Sequence, residues 1–83
     1  MGKYDALRVA LLRSDGPVEF AFDEVARLVG GLPRSAYTYR EWWANEQRGS
    51  HVQARAWLDA GRRVEYVDLN RQRVRFGTRT ELR

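Results

Sequence analysis

Arg48, Ser50, His51, Gln53 and Arg55 crowd the start of a segment that reads as a helix. Their chemistry suits the reading of a nucleic-acid duplex. An arginine fork bonds guanine O6 and N7, and glutamine or asparagine bonds adenine N6 and N7 in the same way. A helix start adds free backbone N–H groups and the positive end of a dipole, both suited to phosphate. Gln53, Arg55 and His51 are therefore the expected base readers, and Arg48 and Ser50 the expected phosphate contacts. Each has a competing use: Arg55 can pair with Asp59 at i+4, and Gln53 can close a capping box with Ser50.

A second group is Arg34, Ser35, Tyr37, Tyr39, Arg40, Trp43 and Asn45. Tyrosine hydroxyls and arginine forks both bond phosphate, so aromatics interleaved with Arg suit a surface that grips a backbone. Arg34, Ser35, Tyr37, Arg40 and Trp43 are expected to hold phosphates, and Asn45 to read a base. The competing reading makes Tyr39 and Trp42 core, with at least one of the two tryptophans buried. A third group is Arg71, Arg73 and Arg75. Arg73 and Arg75 alternate with Val74 and so share the outer face of a strand, where they reach phosphate or a narrow minor groove, or simply form the wet side of a hairpin.

Catalysis has little to build on. The chain has one His, no Cys, and no HExxH, GxSxG or Walker-type glycine loop. Asp59, Glu65 and Asp68 are the nearest approach to a carboxylate cluster, and a metal nuclease needs two or three carboxylates converging on one cation. No enzyme, cofactor, metal or small-molecule substrate is expected. The absence of cysteine excludes disulfides and thiolate metal sites. With 83 residues, a single domain over 1–83 is expected, ordered over about 3–76. The apolar runs are too short for a membrane span, and a cytoplasmic protein is expected.

Charge adds a direction. The net charge is +4, and its placement is uneven. Residues 1–46 carry six basic and seven acidic side chains, net −1, whereas 47–83 carry nine and four, net +5. Fourteen of the fifteen basic residues are Arg. A basic C-terminal half suits a polyanion.

The elements that must position these residues follow from periodicity and punctuation. Residues 4–13 read as a helix with Tyr4, Leu7, Ala10 and Leu11 on one face. Residues 18–22 alternate as a short strand. Asp23 can cap a helix over 24–29 that Gly30-Gly31 closes. Ser35 can cap a short helical turn through Tyr39. Ser50 can cap a helix over 51–60, closed by Gly61, with Ala54, Trp57 and Leu58 inward. Residues 63–69 and 73–76 read as a hairpin about Asn70-Arg71-Gln72, with Val64, Tyr66, Val74 and Phe76 inward. The tail from Gly77 is expected to fray. The order α-β-α-α-β-β, with a small three-stranded antiparallel sheet, gives an α+β, winged-helix-like expectation. The twenty or so residues between the two inner helices are too many for a tight helix-turn-helix, and the tryptophans there argue for a structured segment.

Several stretches together resemble a known family: Phe22-Asp23-Glu24-Val25 with Leu28-Val29-Gly30-Gly31-Leu32-Pro33; Ser35-Ala36-Tyr37; Trp42-Trp43-Ala44-Asn45; Gln53-Ala54-Arg55-Ala56-Trp57-Leu58-Asp59-Ala60-Gly61; and Val64 with Val67-Asp68. The chain resembles a small bacterial domain whose best-understood members are GATC-binding nucleoid-associated proteins of streptomycetes and other actinobacteria. The likeness runs over about residues 3–76. It implies non-catalytic, sequence-preferring binding to double-stranded DNA at many chromosomal sites, with roles in chromosome organisation and transcription regulation and a nucleoid location. It points to Ser35, Tyr37, Trp43, Asn45 and the 50–55 segment. GATC is its own reverse complement, so a homodimer would suit it. Position 62 is Arg where the domain often carries Trp, a departure that bears on one core contact. The alternative reading is a protein-interaction or adaptor module that uses Trp43 and Tyr37 as anchoring aromatics.

Overall fold

The computed structural model describes residues 2–46 and 52–80. The chain runs α1 (Asp5–Leu12), β1 (Val18–Ala21), α2 (Phe22–Val29), α3 (Arg34–Thr38), a 3-10 turn (Arg40–Trp43), α4 (Ala54–Leu58), β2 (Val64–Asp68) and β3 (Arg73–Phe76). The three strands form one antiparallel sheet in the order β1-β3-β2. This is the α+β class expected, and its order is compatible with a winged-helix-like arrangement.

The helices follow their apolar spacing. Leu7 and Leu11 of α1 are buried, one turn apart. In α2 the buried residues are Phe22, Val25 and Val29. That helix starts earlier than its polar signal suggests. Asp23 does not cap it; Glu24 reaches back and accepts the Ala21 N–H at 2.7 Å. Phe22 thus leaves the strand and opens the helix, while its N–H still donates to Gln72 O in the turn before β3 at 2.8 Å. Gly30 ends α2 in the left-handed region at φ 76°, where glycine carries no steric penalty. Ser35 likewise lies inside α3, with Pro33 at its cap position.

α4 is shorter than the 51–60 helix expected; His51 and Ser50, with the proposed capping box, lie outside the described residues. Its end is a Schellman turn: Gly61 N–H donates to Leu58 O at 3.0 Å and Arg62 N–H to Trp57 O at 2.9 Å. Gly61 is required twice. Its φ is +77°, and a Cβ there would collide with the Thr80 carbonyl. The tail is docked as far as Thr80, contrary to the fraying expected: Gly77, Arg79 and Thr80 donate backbone N–H groups to Arg63 O, Asp15 O and Gly61 O.

The hairpin departs from simple alternation. Val64 faces Phe76, but Tyr66 faces Arg75, so Glu65 is an extra residue in β2. This bulge reverses the phase of the strand. Val64 and Val67 both reach the core, and Tyr66, expected inward, is 50% exposed. The core itself is aromatic. Trp43 stacks between Phe22 (centroids 4.9 Å) and Trp57 (6.0 Å), and Trp57 meets Phe76 at 5.6 Å. Burial of each such ring contributes several kcal/mol toward a fold this small, about 3–5 by truncation.

The hairpin turn is tied by Asp68. Its carboxylate accepts the Arg71 N–H at 3.0 Å and the Tyr66 hydroxyl at 3.1 Å. The Arg71 N–H above all, then the Tyr66 hydroxyl and the Arg71 charge, hold the Asp68 pKa below its usual value, against the effect of burial. A depressed carboxylate contributes stability that is whole above its unfolded pKa of about 3.9 and is lost as pH falls through the lower folded value. The Arg71 amide resonance should therefore shift with a midpoint below that of an ordinary aspartate. Asp68→Asn should remove that transition. A midpoint at or above an ordinary carboxylate's would contradict this account.

Candidate nucleic-acid interface

Four arginine sites on two elements face solvent. α4 presents Arg55 with its side chain 71% exposed, and its Nε lies 3.9 Å from Asp59. The distance is long and both groups are wet, so the pair constrains Arg55 weakly. On the hairpin, Arg71 lies 4.0 Å from Asp68. Arg73 and Arg75 share the outer face of β3, the central strand, as their alternation predicts. Each is met by a carboxylate: Arg73 Nε donates to Glu19 at 2.6 Å, and Arg75 Nε to Glu65 at 3.2 Å. The hydrogen bond to Glu19 raises the Arg73 pKa further, so that guanidinium is cationic at any physiological pH.

Three of the expected contact residues are hydrogen-bonded within the fold. Gln53 is 6% exposed, and its amide donates to Trp42 O at 2.8 Å. Trp43 is 1% exposed, with its indole N–H on Ala36 O at 2.9 Å. Asn45 pairs with the edge of β2 as a further peptide unit would: its amide donates to Val64 O at 3.0 Å and its oxygen accepts Val64 N–H at 2.8 Å. The same oxygen accepts the Trp57 indole N–H at 3.0 Å. A buried polar group already paired gains nothing by leaving its partner. In this structure all three commit hydrogen bonds to the fold; Gln53 and Trp43 are buried, while Asn45 is half-buried at the edge of β2.

The remaining expectations divide by place. Arg34 and Arg40 are exposed on α3 and the 3-10 turn, and neither makes an ion pair among the described residues. Ser35 and Tyr37 are half-buried on α3, Tyr37 edge-on to Phe22 at 5.6 Å. Tyr39, read as a core alternative, is exposed, and Trp42 is half-buried against Tyr4. Arg40 lines a shallow groove with Asn45 and Val64–Val67 along the β2 edge. Arg48, Ser50 and His51 lie outside the described residues.

Sequence reasoning missed two features. One is the pairing of Glu19 and Glu65 with the β3 arginines, which opposite charges on neighbouring strands signal once the register is known. The other is Arg62. It is 1% exposed and sends its five N–H groups to Leu11 O, Gly16 O, Gly77 O, Ser14 O and Ser14 Oγ. It thereby caps the C-terminal end of α1, where a cation also suits the dipole. Burial and the nearby Arg79 lower its pKa, and Asp15 opposes them.

No group of three or more His, Cys, Asp or Glu among the described residues is arranged to hold a metal. None of the described helices is long and apolar enough to cross a membrane. No curated protein and no solved structure gives a significant match to the chain. A family model does match, over residues 4–79, nearly the whole of the fold just described. The chain belongs to the family described as Domain of unknown function (DUF7662).

Proposed function

We propose that this chain is a non-catalytic, sequence-preferring binder of double-stranded DNA that associates with the nucleoid and prefers GATC-containing sites. The observation that carries the reading is the exposure of Arg55 on α4 and of Arg73 and Arg75 on the outer face of the hairpin, within the C-terminal half that holds the chain's excess of positive charge. The GATC preference rests on the resemblance in the WWAN and QARAWLDAG segments. With Gln53 buried and Asn45 bonded to the β2 edge, Arg55 is the base reader this reading favours among the described residues. Arg34, Arg40, Arg71, Arg73 and Arg75 supply sequence-independent contacts.

A labelled GATC duplex and a scrambled duplex of equal length test this. The GATC duplex should bind more tightly, and Arg55→Ala should cost roughly 1–3 kcal/mol on it and little on the scrambled one. Equal loss on both duplexes would reassign Arg55 to the backbone. Trp43 is buried, so it serves neither as a phosphate contact nor as the exposed anchor of an adaptor module.

A further inference from the structure

We propose that Glu19 and Glu65 are positioning residues, which hold Arg73 and Arg75 as a two-point grip for phosphate oxygens of a duplex backbone. The inference rests on the DNA-binding reading above. Its basis is which nitrogen each carboxylate takes. Arg73 and Arg75 are both engaged at Nε. The two terminal nitrogens of each guanidinium, with their four N–H bonds, have no hydrogen-bond partner among the described residues. An arginine held from behind at Nε presents a fixed fork, and a fixed fork loses less entropy when it bonds an oxyanion.

The strand register makes this a paired device. On β3, Arg75 lies opposite Glu19 on one side and Tyr66 on the other, and Arg73 lies opposite Ala21 and Asp68. Arg73 nonetheless reaches diagonally to Glu19 on β1, and Arg75 turns to Glu65 on β2. The two guanidiniums are thus drawn to opposite flanks of the central strand. Glu65 is the bulged residue of β2, which re-aims its side chain. Gly77 leaves room for it: a Cβ there would sit 2.6 Å from the Glu65 carboxylate oxygen. All four side chains keep a third or more of their surface exposed, so the forks are open to a ligand.

Simple neutralisation predicts the opposite sign, which makes the proposal testable. If the carboxylates only cancel the arginines, their removal must strengthen binding to a polyanion. The grip predicts that it weakens binding. The test is the affinity of the Glu19→Ala, Glu65→Ala double variant for the GATC and scrambled duplexes. Both affinities should fall about three- to tenfold although two negative charges are lost. Glu19→Gln with Glu65→Gln should recover most of the loss, because the amide oxygen still accepts from Nε. Arg73→Lys with Arg75→Lys should lose as much as the alanine pair, since lysine has no fork. These are exposed sites, so thermal melts should stay near that of the parent. An alanine variant that binds as tightly as the parent, or more tightly, overturns the grip and leaves the DNA reading standing. A parent protein that binds neither duplex at low salt overturns both.

Discussion

Arg62→Lys is expected to lower the unfolding free energy by roughly 2–3 kcal/mol, and Arg62→Ala by roughly 3–5 kcal/mol. The reason is the number of acceptors that depend on one side chain. Four carbonyls and one hydroxyl, drawn from the end of α1, the loop before β1 and the tail after β3, all take N–H groups from Arg62. Lysine offers three donors from a single nitrogen and cannot span those positions. Alanine offers none, and leaves carbonyls buried without partners. A domain of this size has roughly 4–12 kcal/mol in all, so the alanine variant should lose about a quarter or more of the total. For the lysine variant the melting temperature should drop by about 10 °C or more. Urea or thermal melts followed by tryptophan fluorescence measure both. A lysine variant that melts within a degree or two of the parent would show that the five bonds are not held in solution.

The second large effect is expected at Asn45. Asn45→Ala should cost roughly 2–4 kcal/mol. It removes three hydrogen bonds and strands the indole N–H of Trp57, which is fully buried. Asn45→Asp separates the parts of this site. A carboxylate can still accept from Trp57 and from the Val64 N–H, but it places a second negative oxygen against the Val64 carbonyl where an N–H stood. It should therefore be no better tolerated than alanine, and its melting temperature should rise in acid as the carboxylate takes up a proton. A DNA-reading role predicts something else for Asn45: normal stability with lost affinity. Measuring both on the same variant decides between the two roles.

Local signals carried much of the fold. The i, i+3, i+4 apolar spacing in α1 and α2, the left-handed glycines at 30 and 61 and the alternation in β1 and β3 are nearest-neighbour properties, and the structure bears them out. The failures have a common physical source. The β2 bulge, the docked tail, the bonds of Asn45 to Val64 and of Gln53 to Trp42, and the reach of Arg62 across to α1 all depend on partners distant in sequence. Polar side chains were the hardest to place. Asparagine, glutamine and arginine bond a buried carbonyl as readily as a base edge, and spacing alone does not tell the two apart. Position 62 shows this most clearly. A residue type that composition assigns to the charged surface is among the most buried in the molecule, while Arg73 and Arg75 lie outward as alternation requires.

This division sharpens the meaning of the basic C-terminal half. One of its arginines belongs to the core, and Arg79 is held by Asp15 and the Leu12 carbonyl. Those on α4 and the hairpin outer face remain at the surface, where we propose that they meet a duplex. A salt titration of the GATC and scrambled duplexes tests it most directly, because the slope counts phosphate contacts and the offset between the two lines measures sequence preference. Log–log plots should be linear with a slope of about −3 to −5 for both duplexes, as a handful of arginine–phosphate contacts requires, with the GATC line displaced to tighter binding at every salt concentration. Coincident lines would contradict the sequence preference, and no binding to either duplex at low salt would contradict the claim as a whole.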